Sequence, residues 1–127
     1  MAASDKDGEL ELSSEGTMGS ALVSIVGAYR GVTVKVQART LLSLAREFGL
    51  ETVDFVKVDI EGAEMFVVPQ SAEFLATYKP RLIIEGHSVN GVSTIEPLVE
   101  FLNGVGYTTR VEAQPGLTLS LILAAPR

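Results

Sequence analysis

Between Val53 and Val68 the chain reads V-D-F-V-K-V-D-I-E-G-A-E-M-F-V-V, and its character changes in the middle. The first half gathers β-branched and aromatic residues as a buried strand does. The second half is an acidic, glycine-containing turn entering a helix. A strand that feeds a helix in this way confines the chain to folds in which helices pack on a sheet. It also gathers Asp59, Glu61 and Glu64 at the carboxyl end of one strand. In open α/β sheets ligands bind at that edge, because the strand ends and the loops after them leave a crevice that no helix covers. Chemistry is expected there.

The flanking segments extend the pattern. Ala2 to Gly8 is turn-like, and Glu9 to Leu12 alternates as a short strand with one buried face. Ser13 to Ser20, rich in Gly and Ser, predicts a loop, and Ala21 to Val26 a second strand cut short by Gly27, Tyr29 and Gly31. Val32 to Val36 alternates strictly and predicts a strand. Thr40 caps a helix in which Leu41, Leu42, Leu44, Ala45 and Phe48 recur at helical spacing, and Gly49 stops it.

Beyond the central strand, Val53 to Asp59, a helix is expected from Glu61 to Val68, ended by Pro69. Another covers Ser71 to Tyr78, with Ser71 as its cap and Glu73 in its first turn, where the helix dipole favours negative charge. Arg81 to Glu85 follows Lys79-Pro80 as a strand apolar on both faces in its middle, which suits a sheet covered by helices on each side. Gly86, His87, Ser88 and Asn90 form the loop at its carboxyl end. A helix from Ser93 or Thr94 to Leu102 carries Pro97 in its first turn, where proline is tolerated. Tyr107 to Glu112 and Leu117 to Ala124 flank a turn at Gln114-Pro115-Gly116, and strands joined by so short a turn are antiparallel. Strand and helix alternate through the middle, which predicts an α/β fold with parallel crossovers.

At 127 residues the chain is one domain, long enough for a core. With 16 acidic against 10 basic residues and a net charge of -6, it has no run of Lys or Arg to neutralise a phosphate backbone, so nucleic acid and anionic membrane are excluded as partners. Cysteine is absent, which removes disulfides, thiolate metal sites and a Cys nucleophile. No apolar run approaches the ~20 residues of a membrane span. Met1 to Leu12 lacks the basic and apolar regions of a secretory signal, so the cytosol is the expected location.

Lys57-Val58-Asp59-Ile60-Glu61-Gly62-Ala63-Glu64, followed by Lys79-Pro80-Arg81-Leu82-Ile83-Ile84-Glu85-Gly86-His87, closely resembles the C-terminal half of FkbM-type methyltransferases. Ser4 to Leu10 also resembles the segment after that family's third strand, so the resemblance covers nearly the whole chain. It implies a Rossmann-like class I methyltransferase sheet that ends in an antiparallel hairpin and lacks its N-terminal strands. On this reading residues 1–127 are one partial domain, with 1–20 as lead-in and 53–127 as the best-matching core. The implied activity is S-adenosylmethionine (SAM)-dependent transfer of a methyl group to a hydroxyl of a small molecule or sugar. The family's Gly-rich cofactor loop and the acidic residue that holds the ribose have no counterpart here. Cofactor-binding residues are therefore unassigned, and weak or no binding of SAM is expected of this chain alone.

Methyl transfer to oxygen requires alignment and removal of a hydroxyl proton. Asp59 is the best placed general base or acceptor-binding carboxylate. Glu61 and Glu64, three apart, would share a helical face, where they either serve the site or simply favour the helix start. Glu85 and His87 end the neighbouring strand and would face Asp59 across the crevice. His87, the only histidine, is either a base near neutral pH or a solvated loop residue. Asp59, Glu61 and His87 are thus the candidate catalytic residues, with Glu85, Glu64 and Lys57 in support. Lys57 is expected along a buried strand, paired with a carboxylate such as Glu85. Asp59, Glu61, Glu85 and His87 are ligand types for a hard metal, but no spacing fixes a geometry, and no metal is assigned. The competing reading is a non-catalytic module that binds a small polar ligand or a metal in the acidic crevice. Such a module could instead pair with another chain through the sheet edge that the missing strands would leave exposed.

Overall fold

The computed structural model describes residues 1–14, 21–22, 32–117 and 119–127. The loop expected at 13–20 and the strand expected at 21–26 lie largely outside them. The architecture is mixed α/β, with two four-stranded sheets and a small hairpin.

The first sheet contains β1 (Ala2–Ala3), β2 (Gly8–Ser14), β3 (Ala21–Leu22) and β4 (Val32–Arg39), in the order β1-β4-β2-β3. β2 and β4 are antiparallel from Gly8↔Ala38 to Ser14↔Val32, and β1 runs parallel to β4. Leu10 and Leu12 of β2 lie opposite Val36 and Val34. The burial is shallow, since Val34 remains 44% exposed. Asp7 ties this sheet to the next element by accepting bonds from the Thr40 N–H at 2.8 Å and the Ser43 hydroxyl at 2.7 Å. Both bonds hold the Asp7 carboxyl below its ordinary pKa.

Helix α1 (Leu41–Glu47) starts as the sequence predicts, with the Thr40 hydroxyl accepting from the Ser43 N–H, and Gly49 follows it at φ 61°. Phe48, predicted to continue the apolar face, sits at the C-cap and is 64% exposed instead. The chain then enters the second sheet, which contains β5 (Phe55–Val58), β6 (Arg81–Gly86), β9 (Tyr107–Ala113) and β10 (Ser120–Pro126) in the order β5-β6-β10-β9. β5 and β6 are parallel neighbours, and β10 is antiparallel to both β6 and β9. The crossover between β5 and β6 and the terminal hairpin are therefore as predicted. β4 does not join this sheet, because its pairing capacity is taken by β1 and β2.

Three further α-helices follow among the described residues: α2 (Glu64–Val67), α3 (Ala72–Tyr78) and α4 (Ile95–Gly104). The helix expected from Glu61 starts three residues later, since Glu61 and Gly62 both have positive φ and form a turn. Ser71 does not cap α3, because its hydroxyl donates back to the Val67 carbonyl at 2.6 Å. Lys79 ends α3 in the left-handed conformation, φ 49°, before Pro80. The loop expected after β6 contains a two-residue hairpin, β7 (Ser88–Val89) and β8 (Val92–Ser93), whose Asn90-Gly91 turn has φ of 51° and 77°.

The core lies on one face of the second sheet. Ala45 of α1, Phe74 and Leu75 of α3, and Leu98 and Leu102 of α4 pack on Val58, Leu82, Ile84, Ile122 and Ala124. Ile84, Leu98, Leu102 and Ile122 have no exposed surface, each contributing on the order of 1.5–3 kcal/mol of hydrophobic stabilisation. The other face was expected to be covered as well. Among the described residues it is open: Phe55, Arg81, Ile83, Arg110 and Leu123 line a groove of about 380 Å³. No helix among the described residues is long and apolar enough to cross a membrane.

Candidate functional site

β5 and β6 bring their carboxyl ends side by side, with Val58 paired to Ile84. One residue beyond Val58, Asp59 leaves the strand. On β6 the side chains alternate, so that Leu82, Ile84 and Gly86 face the core while Glu85 turns the other way. Gly86 has no room for a side chain, because a Cβ there would lie 2.0 Å from Ile95 Cδ1. The glycine thus lets α4 seat closely behind the strand end, and His87 emerges directly after it. The ligand atoms of Asp59, Glu85 and His87 all lie within 4.8 Å of one another. These three sequence candidates are brought together as predicted.

Glu61 and Glu64 part company. The left-handed residue Glu61, φ 52°, reverses the chain with Gly62, a conformation that costs a non-glycine residue on the order of 1 kcal/mol. Its carboxylate remains half-exposed, with Oε2 3.7 Å from His87 Nε2. Glu64, three residues on, is carried inward and has no exposed surface. Its Oε1 lies 2.6 Å from His87 Nδ1 and accepts the His87 backbone N–H at 3.2 Å. The shared helical face expected for the two glutamates is therefore absent, because Glu61 is not in the helix. Glu64 is also more than a residue favouring a helix start: it is the buried partner of the only histidine.

His87 is correspondingly not a solvated loop residue, with its side chain only 12% exposed. Thr94, buried at 3% exposure, holds the backbone around it. The Thr94 hydroxyl accepts the His87 N–H at 3.0 Å, and the Thr94 N–H donates to the His87 carbonyl at 3.0 Å. The sequence marks Thr94 only as a possible start of a helix. In fact Ser93 accepts the Ile95 N–H at 3.1 Å, which frees the Thr94 side chain for His87.

Lys57 is corrected as well. It projects from the open face of the edge strand, 61% exposed, and pairs with Asp59 Oδ2 at 3.0 Å rather than with Glu85. An ammonium at an edge stays largely hydrated, so the penalty of burial is smaller than the gain from Asp59. The bond to Asp59 and its charge raise the Lys57 pKa, and Glu85 adds a smaller effect.

Burial disfavours the His87 imidazolium. The hydrogen bond and charge of Glu64, aided by Glu61 and Glu85, outweigh that effect and raise the pKa above 6.5. The protonated form is thus favoured by folding. Its stabilisation is fully present below about 6.5, the unfolded value, and is lost as pH rises through the higher folded value. Urea unfolding midpoints across that window should fall with rising pH in the wild type and show less of this dependence in His87→Gln. A wild-type midpoint that rises through the window contradicts the assignment.

Chemically, the edge offers carboxylates that can hold a hydroxyl and an imidazole able to take its proton. The described residues do not form a cradle for a nucleoside. Gly86 is used for packing, and β5, at the margin of its sheet, has no strand on its outer side among the described residues to extend the crevice. Neither a curated protein nor a solved structure significantly matches the chain. The family model of the methyltransferase FkbM domain matches residues 2–109 of the 127, and the chain belongs to that family.

Proposed function

We propose that the chain is the C-terminal portion of a SAM-dependent methyltransferase domain with a Rossmann-like sheet, acting in the cytosol on a hydroxyl of a small molecule or sugar. The observation that carries this reading is the convergence of Asp59, Glu85 and His87 at the carboxyl edge of two parallel strands in a chain of this family. SAM, which the family implies, would supply an electrophilic methyl group. The residues present do not fit the whole cofactor, and their part is the acceptor side.

On that side Asp59 accepts a hydrogen bond from the acceptor hydroxyl, with Lys57 holding the carboxylate in place. His87, the imidazole among these groups, receives the hydroxyl proton. Glu61 borders the imidazole and steadies the charge that forms on it, while Glu85 contributes a second acceptor for neighbouring hydroxyls. Residues 1–127 act as one partial domain, with the chemistry in 53–127.

The test is transfer of labelled methyl from SAM to hydroxylated small molecules by the full gene product. Asp59→Asn should lower that transfer roughly tenfold to a hundredfold, the worth of a hydrogen bond to a charged group, with little change in stability because Asp59 is exposed. Transfer that is unchanged in the variant removes Asp59 from the site.

A second reading, a non-catalytic pairing module, is favoured by the outer edge of β5 and the open apolar groove beside it. A protein that transfers no methyl group and elutes as a defined dimer supports that reading instead.

A further inference from the structure

We infer that Glu64 is the positioning residue of the site: its buried carboxylate holds the His87 imidazole as the Nδ1–H tautomer, so that Nε2 is the nitrogen that accepts a proton in the crevice. This deepens the reading of the edge as an acceptor site and rests on it for the role of the proton. The tautomer itself can be measured without any cofactor.

A carboxylate with no exposed surface is costly unless it is paired, and an apolar residue of similar volume would fill the same space at lower cost. Glu64 has nevertheless a single use among the described residues. Oε1 takes both the His87 ring nitrogen Nδ1 and the His87 backbone N–H, while Oε2 has no partner there. An ionised carboxylate only accepts, so the ring nitrogen facing it carries the proton. The backbone N–H converging on the same atom enforces an oxygen at that place. Thr94 fixes the His87 peptide groups on the other side, which leaves the ring little freedom to turn.

The remaining nitrogen, Nε2, faces outward. Its near neighbour Glu61 Oε2 is 3.7 Å away, beyond hydrogen-bond distance, so the Nε2 lone pair is available to an incoming hydroxyl. The charged and titratable groups facing the ring are Glu64 from α2, Glu61 from the turn, Glu85 from β6, and Asp59 at the end of β5. When the hydroxyl O–H bond breaks, its proton forms the Nε2–H bond and the electron pair stays on the acceptor oxygen. The resulting imidazolium is balanced by Glu64 through Nδ1–H. The proton then leaves Nε2 for solvent past the exposed carboxylates of Glu61 and Asp59. A buried carboxylate behind an imidazole thus serves both to select the nitrogen and to accommodate the charge.

Because His87 is the only histidine, its ring nitrogens give unambiguous signals in nitrogen-15 NMR of the 127-residue protein. At a pH above the His87 titration, the expected spectrum is that of the Nδ1–H tautomer. In Glu64→Gln the amide oxygen can still serve the backbone N–H, but the charge is gone, so the titration midpoint should move to lower pH. In the full gene product the acid limb of the methyl-transfer pH profile should move the same way. A wild-type Nε2–H tautomer, or a midpoint unmoved in Glu64→Gln, overturns the inference. If that variant does not fold, the wild-type tautomer alone decides. An Nδ1–H tautomer in a protein that transfers no methyl group would retain the assignment of Glu64 and refute the enzymatic reading instead.

Discussion

His87→Gln is expected to lower methyl transfer by the full gene product by about two to four orders of magnitude, the usual worth of a positioned general base. Glutamine keeps a donor toward the Glu64 carboxylate and so limits the structural damage, but it cannot take a proton at neutral pH. The loss should therefore appear in kcat, with SAM affinity unchanged, because His87 is assigned to the acceptor side. A variant that retains near wild-type kcat would show that the proton goes elsewhere, and Asp59 would then be the base. Equal losses in kcat and in cofactor affinity would indicate that the edge serves the donor as well as the acceptor.

The second large effect concerns the fold behind the site. Leu98→Ala should destabilise the protein by about 2–5 kcal/mol, a sizeable part of the roughly 5–15 kcal/mol that holds a domain together. Leu98 has no exposed surface and packs from α4 on the core formed by β6 and β10. It lies on the first turn of the helix that Thr94 precedes, and the Thr94 hydroxyl and N–H hold the His87 backbone. Loosening α4 should therefore disturb His87 before the sheet melts. Urea unfolding measures the stability, and the His87 nitrogen-15 signals report the local change. A loss below about 1 kcal/mol would mean that α4 is not seated on the sheet as described.

Much of this arrangement was legible in the residues themselves. The β-branched run ending at Val58 and the apolar run around Ile83 mark two strands of one sheet, and the acidic groups directly after them mark its functional edge. Pro115-Gly116 between two alternating segments marks the terminal hairpin. What escaped detection depended on three-dimensional direction. The spacing of Glu61 and Glu64 suggests one helical face, but a single left-handed residue, Glu61, sends one carboxylate toward solvent and the other into the core. Residue spacing carries no signal for that. Lys57 departs from expectation for a related reason: whether an alternate position on a strand faces packing or water depends on whether that face is covered, and the second face of this sheet is open among the described residues. β4 alternates as a good strand should, but alternation says that a strand forms, not which sheet it joins. The long antiparallel pairing with β2 settles its place. The sequence offers Ser93 or Thr94 as the helix start, and the hydroxyl of Thr94 is turned to the backbone of His87.

In the proposed enzyme the joint edge of β5 and β6 faces the reaction. Hydrogen exchange of the full gene product, measured with and without a hydroxylated small molecule that it methylates, tests it most directly. Added protection is expected in the backbone from Asp59 to Glu64 and from Glu85 to His87, the two segments that meet at that edge, with the open groove around Phe55 and Leu123 less affected. Protection confined to other parts of the protein, or none at saturating ligand, would contradict it.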